Sequence, residues 1–187
     1  MRLSTVVTDR GDRLHVHGAS GHVDVAAALG NERYATLANV LADGSAALDA
    51  LRSIGDQAGV EVDDADLAPA VPSPRRVLCL GLNYREHALE GGREVPTWPE
   101  SFVRGPDSVS APYADLVRPA LTERFDFEGE LGIVIGKGGR YITAANALAA
   151  VAGFVVLNDG SAREWQRAGT QWTAGKNFDG TMPIGPE

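Results

Sequence analysis

The stretch FDFEGELGIVIG, Phe125 to Gly136, sets three carboxylates at alternate positions of an apolar run. Its Phe, Leu, Ile and Val content predicts a β-strand, on which side chains change face with every residue. Asp126, Glu128 and Glu130 then share one face, and Phe125, Phe127, Leu131, Ile133 and Ile135 the other. Neighbouring positions on one face lie about 7 Å apart, so ionising all three carboxylates is unfavourable unless positive charge sits among them. Two readings remain open: a solvated edge strand that uses charge against aggregation, or a site for a hard divalent cation, which favours carboxylate oxygen.

Other segments carry chemistry of less specific kinds. FVVLNDGSAREWQ runs from an apolar strand into Asn158 and Asp159, placing a carboxylate at a strand end, where turn chemistry is the competing explanation. Ser161 with Glu164 fits a helix capping box, which would set Arg163 and Gln166 on one helical face. In NYREHALE, Asn83 is placed to cap a short helix whose His87 and Glu90, three apart, face the same way; a carboxylate beside an imidazole can raise its basicity. Lys176 lies between Gly175 and a polar turn, a setting typical of a surface lysine. His15 and His17 form an H-x-H pair with no third candidate ligand nearby in sequence, and read as solvent-facing. Cys79, the only cysteine, lies in the apolar run RVLCLGLNY and reads as core packing; alone, it excludes intramolecular disulfides and cysteine-cluster zinc sites.

The elements that must position these residues fall into two parts. RLSTVVTDRGDRLHVHG predicts a hairpin turning near Gly11, and VDVAAALG through ERYATLANVLADGSAALDALRSIG repeats apolar residues at the helical period, giving a small α/β unit over residues 1–70. DDADLAPAVPSPRR reads as an exposed connector, with the boundary near 68–75. From 76 to 187 strands dominate: RVLCLGLNY, a short REHALE helix, a proline-bearing irregular segment, the acidic strand, a helical TAANALAAVAG and the strand FVVLNDGSARE.

At 187 residues with 44% hydrophobic and 22% charged composition, the chain has an ordinary globular profile. A net charge of −8 argues against nucleic acid or an anionic membrane as partner and favours small molecules. No apolar run approaches the roughly 20 residues of a membrane span and the start lacks a signal-peptide core, so the expected location is the cytoplasm.

Taken in order, CLGLNYREHALE, PTWPESFVRGPDSV, FDFEGELGIVIGKGGRYI, VAGFVVLNDGSAREWQ and QWTAGKNFDGTMPIGP resemble the fumarylacetoacetate hydrolase family over about residues 77–186. The resemblance is to its acylpyruvase and 2-hydroxyhepta-2,4-diene-1,7-dioate isomerase-like members. It implies a mixed α/β fold, mostly β, with a small N-terminal domain and a β-roll or barrel-like core, usually as a homodimer. It implies Glu128, Glu130 and Asp159 as ligands of magnesium or manganese, with calcium an alternative, while Asp126 stays outside. It further implies that Arg163, Gln166 and Lys176 contact a 2-oxo or diketo acid, and that His87 and Glu90, on a lid of about 85–104, activate water. The expected activity is metal-dependent hydrolysis of a carbon–carbon bond in an acylpyruvate, with decarboxylation or dienedioate isomerisation in the same site as alternatives. Lys176 would serve both catalysis and substrate binding. Two departures stand out: Gly160 replaces a branched apolar residue, and Arg104 a lysine. Family members also continue well past the PIGP segment, so the core is expected to be C-terminally incomplete, and a non-catalytic metal- or partner-binding chain is the reading of another class.

Overall fold

Gly11 takes φ +91°, a conformation that costs any residue with a Cβ, and there the chain reverses into the predicted hairpin. Strands β1 (Leu3–Thr8) and β2 (Gly11–His17) pair antiparallel from Leu3↔Val16 to Thr8↔Gly11. The computed structural model describes residues 1–187. β3 (His22–Asp24) adds to the outer edge of β2. Three helices follow: α1 (Val25–Leu29), capped by the Asp24 carboxylate; α2 (Leu37–Asp43), capped by the Thr36 hydroxyl; and α3 (Ser45–Ser53). They cover one face of the sheet, burying Leu14, Val16, Val23, Val25, Val40, Ala47, Leu51 and Ile54 in a single core.

The expected exposed connector is partly a strand. β4 (Leu67–Ala68) pairs with β1 and is buried, completing the order β3-β2-β1-β4. Its two apolar residues gain more by joining the open edge of β1 than by staying in solvent. His15 and His17 also depart from the solvent-facing expectation. His15 is 5% exposed and its Nδ1 donates to the Arg13 carbonyl, while the His17 ring packs on His22 with centroids 4.3 Å apart. The segment at Gln57–Val60, paired with Ser20 and His22, closes over this polar face of the sheet.

Beyond residue 76 the sheets are small. β5 (Val77–Gly81) turns through Leu82, at φ +52°, into α4 (Arg85–Glu90). That turn puts Tyr84, not Asn83, at the N-cap, and no side-chain cap forms. β6 (Glu100–Arg104) pairs with β5 over Val77↔Arg104 to Gly81↔Glu100, so the end of the expected lid is a sheet strand. β7 (Val109–Ser110) runs parallel to a later strand. The acidic segment is broken: β8 (Phe125–Asp126) and β9 (Gly129–Ile135) belong to different sheets.

The predicted helix TAANALAAVAG is a 3-10 segment over Ala144–Ala150, short and without a side-chain cap, which favours the tighter turn. β10 (Val151–Asn158) pairs with β9, and β11 (Ser161–Ala162) with β8. α5 (Arg163–Arg167), α6 (Thr173–Lys176) and β12 (Met182–Pro183), the parallel partner of β7, complete the chain. The architecture is mixed α/β: one four-stranded and four two-stranded sheets, with no closed barrel. The core of this part is small, with Val155, Met182 and Ile184 buried together. No helix is long and apolar enough to cross a membrane.

Candidate functional site

β9 is amphipathic in the opposite sense to an ordinary surface strand. Leu131, Ile133 and Ile135 are each more than half exposed, whereas Glu130, Gly132 and Val134 face inward. Glu128, just before the strand, also points inward, with 17% of its side chain accessible. The solvated-edge reading therefore fails, and the reason lies in the cations gathered opposite. Burial raises the Glu128 carboxyl, but Lys176, Arg163 and a bond from Ser161 outweigh it and hold the group below its usual range.

Each carboxylate oxygen of Glu128 has its own partner. Oε1 receives Arg163 Nη1 at 2.5 Å and the Ser161 hydroxyl at 2.9 Å, and Oε2 receives Lys176 Nζ at 3.0 Å. Asp159, which follows directly on β10, is divided the same way: Arg104 Nη1 bonds Oδ1, and Lys176 Nζ bonds Oδ2 at 2.7 Å. Its backbone N–H donates to the Glu128 carbonyl at 2.9 Å, while Asn158 Oδ1 accepts from Glu128 N–H at 2.9 Å. These bonds tie the two carboxylates to one rigid turn despite the broken ladder. Lys176 is 1% exposed, contrary to its surface reading, because α6 packs against β11 and β6. The Phe102 ring centre lies 5.1 Å from its ammonium.

Glu130 joins this cluster without a cation of its own. Burial raises its carboxyl, the Tyr84 phenol lowers it, and Glu128 and Asp159 raise it further, leaving it above the usual range. Four carboxylates, Asp126, Glu128, Glu130 and Asp159, thus meet three cations, Arg104, Arg163 and Lys176. One negative charge is left in excess. An all-carboxylate oxygen set with unmet demand for positive charge suits a hard divalent cation. The three implied ligands are nevertheless not drawn together: no three His, Cys, Asp or Glu side chains sit close enough to share an ion, with Lys176 standing between two of them.

Arg163 and Gln166 share a face of α5 as the spacing predicts, Arg163 Nη1 donating to Gln166 Oε1 at 2.9 Å. The rest of that guanidinium grips Asp126 Oδ2 at 2.9 and 2.7 Å, so Asp126 orients Arg163 from outside the carboxylate pair. The capping box does not form. Ser161 bonds Glu128 instead, and the Glu164 carboxylate accepts the Thr122 hydroxyl at 2.5 Å and Glu123 N–H at 3.1 Å. His87 and Glu90 lie exposed on α4, with no side-chain hydrogen bond or ion pair to each other or to the cluster. Cys79 is half-buried beside the site; burial, then the Asp159 charge, push its thiol up to about 12, which keeps it protonated and inert.

Sequence reading left Arg104, Ser161 and Tyr84 outside the site. Arg104 carries the most bonds of the three: besides Asp159, it donates to the Gly160 carbonyl at 3.0 Å, Thr181 Oγ1 at 2.7 Å and Ser108 Oγ at 3.3 Å, with no part of its side chain accessible. The alternation in ESFVR, which sets Phe102 and Arg104 on one inward face, was the signal for it. Gly160 is required beside it, since a Cβ there would stand 2.4 Å from the Thr181 carbonyl oxygen.

The family model for the fumarylacetoacetate (FAA) hydrolase C-terminal domain matches residues 76–187. The human mitochondrial oxaloacetate tautomerase FAHD2A is 46% identical over 122 residues, 64% of this chain and 38% of its own length. A 2,4-didehydro-3-deoxy-L-rhamnonate hydrolase of Sphingomonas sp. (strain SKA58) is 40% identical over 112 residues, 59% of this chain and 39% of its own. This chain therefore spans well under half the length of these relatives. Among solved structures, the fumarylacetoacetate hydrolase of Exiguobacterium antarcticum superposes on the whole chain with a TM-score of 0.74 at 30% identity, using 65% of its own length. The 5-carboxymethyl-2-hydroxymuconate delta-isomerase of Mycobacterium smegmatis does so at 0.69 and 26%, using 64%. With the family model covering more than half of the sequence, the chain belongs to the fumarylacetoacetate hydrolase family.

Proposed function

We propose that this chain carries the cation- and substrate-binding core of an enzyme that forms and stabilises the enolate of a 2-oxo acid. The observation that supports it is the buried meeting of Glu128 and Asp159 on one lysine, flanked by Arg163 and the unpaired Glu130. Glu128, Glu130 and Asp159 would hold magnesium or manganese only by drawing closer together than they stand here, where Lys176 lies between two of them. That ion, when bound, polarises the 2-oxo-carboxylate end of the substrate and lowers the cost of enolate charge. Arg163, pinned by Asp126 and Gln166, presents a fixed positive charge to the same end. Lys176 supplies a second charge and a proton donor at Nζ for the enolate carbon or oxygen. Gln166, with its amide oxygen taken by Arg163, offers its amide nitrogen as a donor.

Tautomerisation needs these groups and no activated water. It matches the activity in the name of the human relative, an oxaloacetate tautomerase. Carbon–carbon bond hydrolysis is the second reading. It is favoured by His87 and Glu90, one helical turn apart on α4, and by the hydrolase from Sphingomonas; it requires α4 to close over the cluster.

The test is enol–keto interconversion of oxaloacetate and cleavage of acetylpyruvate by the 187-residue chain in manganese, each repeated with chelator and with Glu128→Gln. Interconversion lost under both treatments supports the proposal. Interconversion that survives chelation and the substitution would overturn it, as would silence of the chain toward both substrates despite calorimetric manganese binding.

A further inference from the structure

We propose that the groove between β6 and the segment leading into α6 seats the tail of the substrate, and that this tail is a short hydroxylated chain rather than a second carboxylate. The substrate is then a polyhydroxylated 2-oxo acid. This rests on the preceding reading that the cluster receives a 2-oxo acid head group.

Phe102 joins the groove to the cluster. Its ring centre lies 5.1 Å from Lys176 Nζ and 5.7 Å from the centre of the Trp172 ring, which meets it edge-on. Trp172 immediately precedes α6, so the helix that carries Lys176 to the carboxylates also carries the indole to the groove. The indole is seated on Gly81, the β5 partner of Glu100, where a Cβ would stand 1.9 Å from the ring. Any other residue at 81 would push it away. Glu100, Ser101, Thr170 and Gln171 complete, with the two rings, a groove of about 190 Å³.

The lining selects the tail. Glu100 offers acceptor oxygens, Ser101 and Thr170 hydroxyls that donate and accept, and Gln171 an amide that does both, and none of the four spends its side chain on a partner within the chain. Successive hydroxyls, each a donor and an acceptor, match that set, while the carbons between them lie against the Trp172 ring. A carboxylate tail meets the opposite conditions: no Lys, Arg or His lines the groove, Glu100 repels it, and the Lys176 ammonium against Phe102 is committed to Glu128 and Asp159. A wholly apolar tail strips water from the polar lining and replaces none of its bonds. At about 30 Å³ per non-hydrogen atom, the share of a water in the liquid, the groove holds about six such atoms, the size of three hydroxylated carbons.

The test is calorimetric titration of the 187-residue chain, in a magnesium buffer, with three acids that share the 2-oxo head. 2-Oxobutyrate has no tail, 2-oxoadipate ends in a second carboxylate, and 2-oxo-3-deoxygluconate carries three hydroxyls. The hydroxylated acid binds more tightly than either of the others. Glu100→Gln then splits the two long acids. It weakens the hydroxylated one by about tenfold, the loss of a hydrogen bond to a charged acceptor, and tightens 2-oxoadipate by removing the repulsion. A substitution that merely disturbed the fold would move both in the same direction. Binding of 2-oxobutyrate with no gain from the hydroxyls, or a Glu100→Gln variant that shifts the two long acids together or not at all, overturns the groove assignment and leaves the 2-oxo acid reading standing. Tighter binding of 2-oxoadipate than of the hydroxylated acid by the parent chain overturns the choice of tail. Failure of the parent to bind any of the three overturns both.

Discussion

Replacing Arg104 by Met separates the contribution of its charge from that of its bulk. The side chain has no accessible area and bonds Asp159, the Gly160 carbonyl, Thr181 Oγ1 and Ser108 Oγ. Removing one member of a buried ion pair costs about 3–5 kcal/mol, because the other is left buried and uncompensated. Here Asp159 keeps Lys176 on its second oxygen, which places the expected loss at the low end, about 3 kcal/mol. The two hydroxyls add little, since Ser108 still donates to the Gly105 carbonyl and Thr181 to that of Phe178. Arg104→Lys keeps the charge but lacks the fork that reaches four acceptors at once, and should cost about 1–2 kcal/mol through partners left unmet. With a urea slope of about 2 kcal/mol/M, the Met variant should unfold about 1.5 M earlier than the parent and the Lys variant about half as far. The assay is urea unfolding by tryptophan fluorescence. All three tryptophans, Trp98, Trp165 and Trp172, lie in the part that contains Arg104, so the signal reports on it selectively. A Met variant within about 0.5 kcal/mol of the parent, the usual size of a neutral surface change, would refute the assignment of Arg104 as the fixed clamp on Asp159; so would a Lys variant as damaged as the Met one.

Gly160→Ala should destabilise the same transition by about 1–3 kcal/mol, because the new Cβ meets backbone, the Thr181 carbonyl oxygen at 2.4 Å, and that strand end cannot swing aside without disturbing Arg104; an unchanged urea midpoint would contradict it. In the N-terminal sheet, burial lowers the imidazoles of His17 and His22 below 6.5, helped at His22 by the neighbouring histidines. Their neutral forms are favoured in the folded state, so the stability they contribute is present above pH 6.5 and lost as pH falls below it. Proton NMR of the ring resonances should show both titrating below 6.5, and a value at or above 6.5 for either would reverse the sign.

The parts of the site legible in the sequence are those whose residue type is rare in its setting. Carboxylates at alternate positions of an apolar strand are such a case, and Glu128 and Glu130 do face the cluster. Arg163 and Gln166 were found because helical spacing is a local property. Lys176 was hidden for the opposite reason: a lysine beside a glycine and a polar turn looks like surface, and only the packing of α6 on β6 and β11 buries it. Ser161 and Glu164 show how local rules lose. Their spacing is that of a capping box, but each finds a partner across the fold, Glu128 for one and Thr122 for the other, and these bonds replace the cap. Asn83 was displaced as a cap by the backbone turn at Leu82, a left-handed conformation that a leucine gives no warning of.

The inverted strand shows why pattern alone could not orient the site. Period-two alternation says that the two faces of β9 differ, and the usual rule sends the apolar face inward. That rule assumes nothing inside repays the desolvation of a carboxylate. Here the inside holds Arg104, Arg163 and Lys176, three cations that would themselves be intolerable if Glu128 and Asp159 turned outward. The acids and bases bury each other. Leu131, Ile133 and Ile135 are left exposed, with Phe154 and Val156 beside them on β10, because turning β9 over to hide them would strip Glu130 from the cluster. The direction of the strand is therefore set by residues that lie far from it in sequence, one of them about fifty positions on, and no window narrow enough to define the strand contains the cations that decide which way it faces.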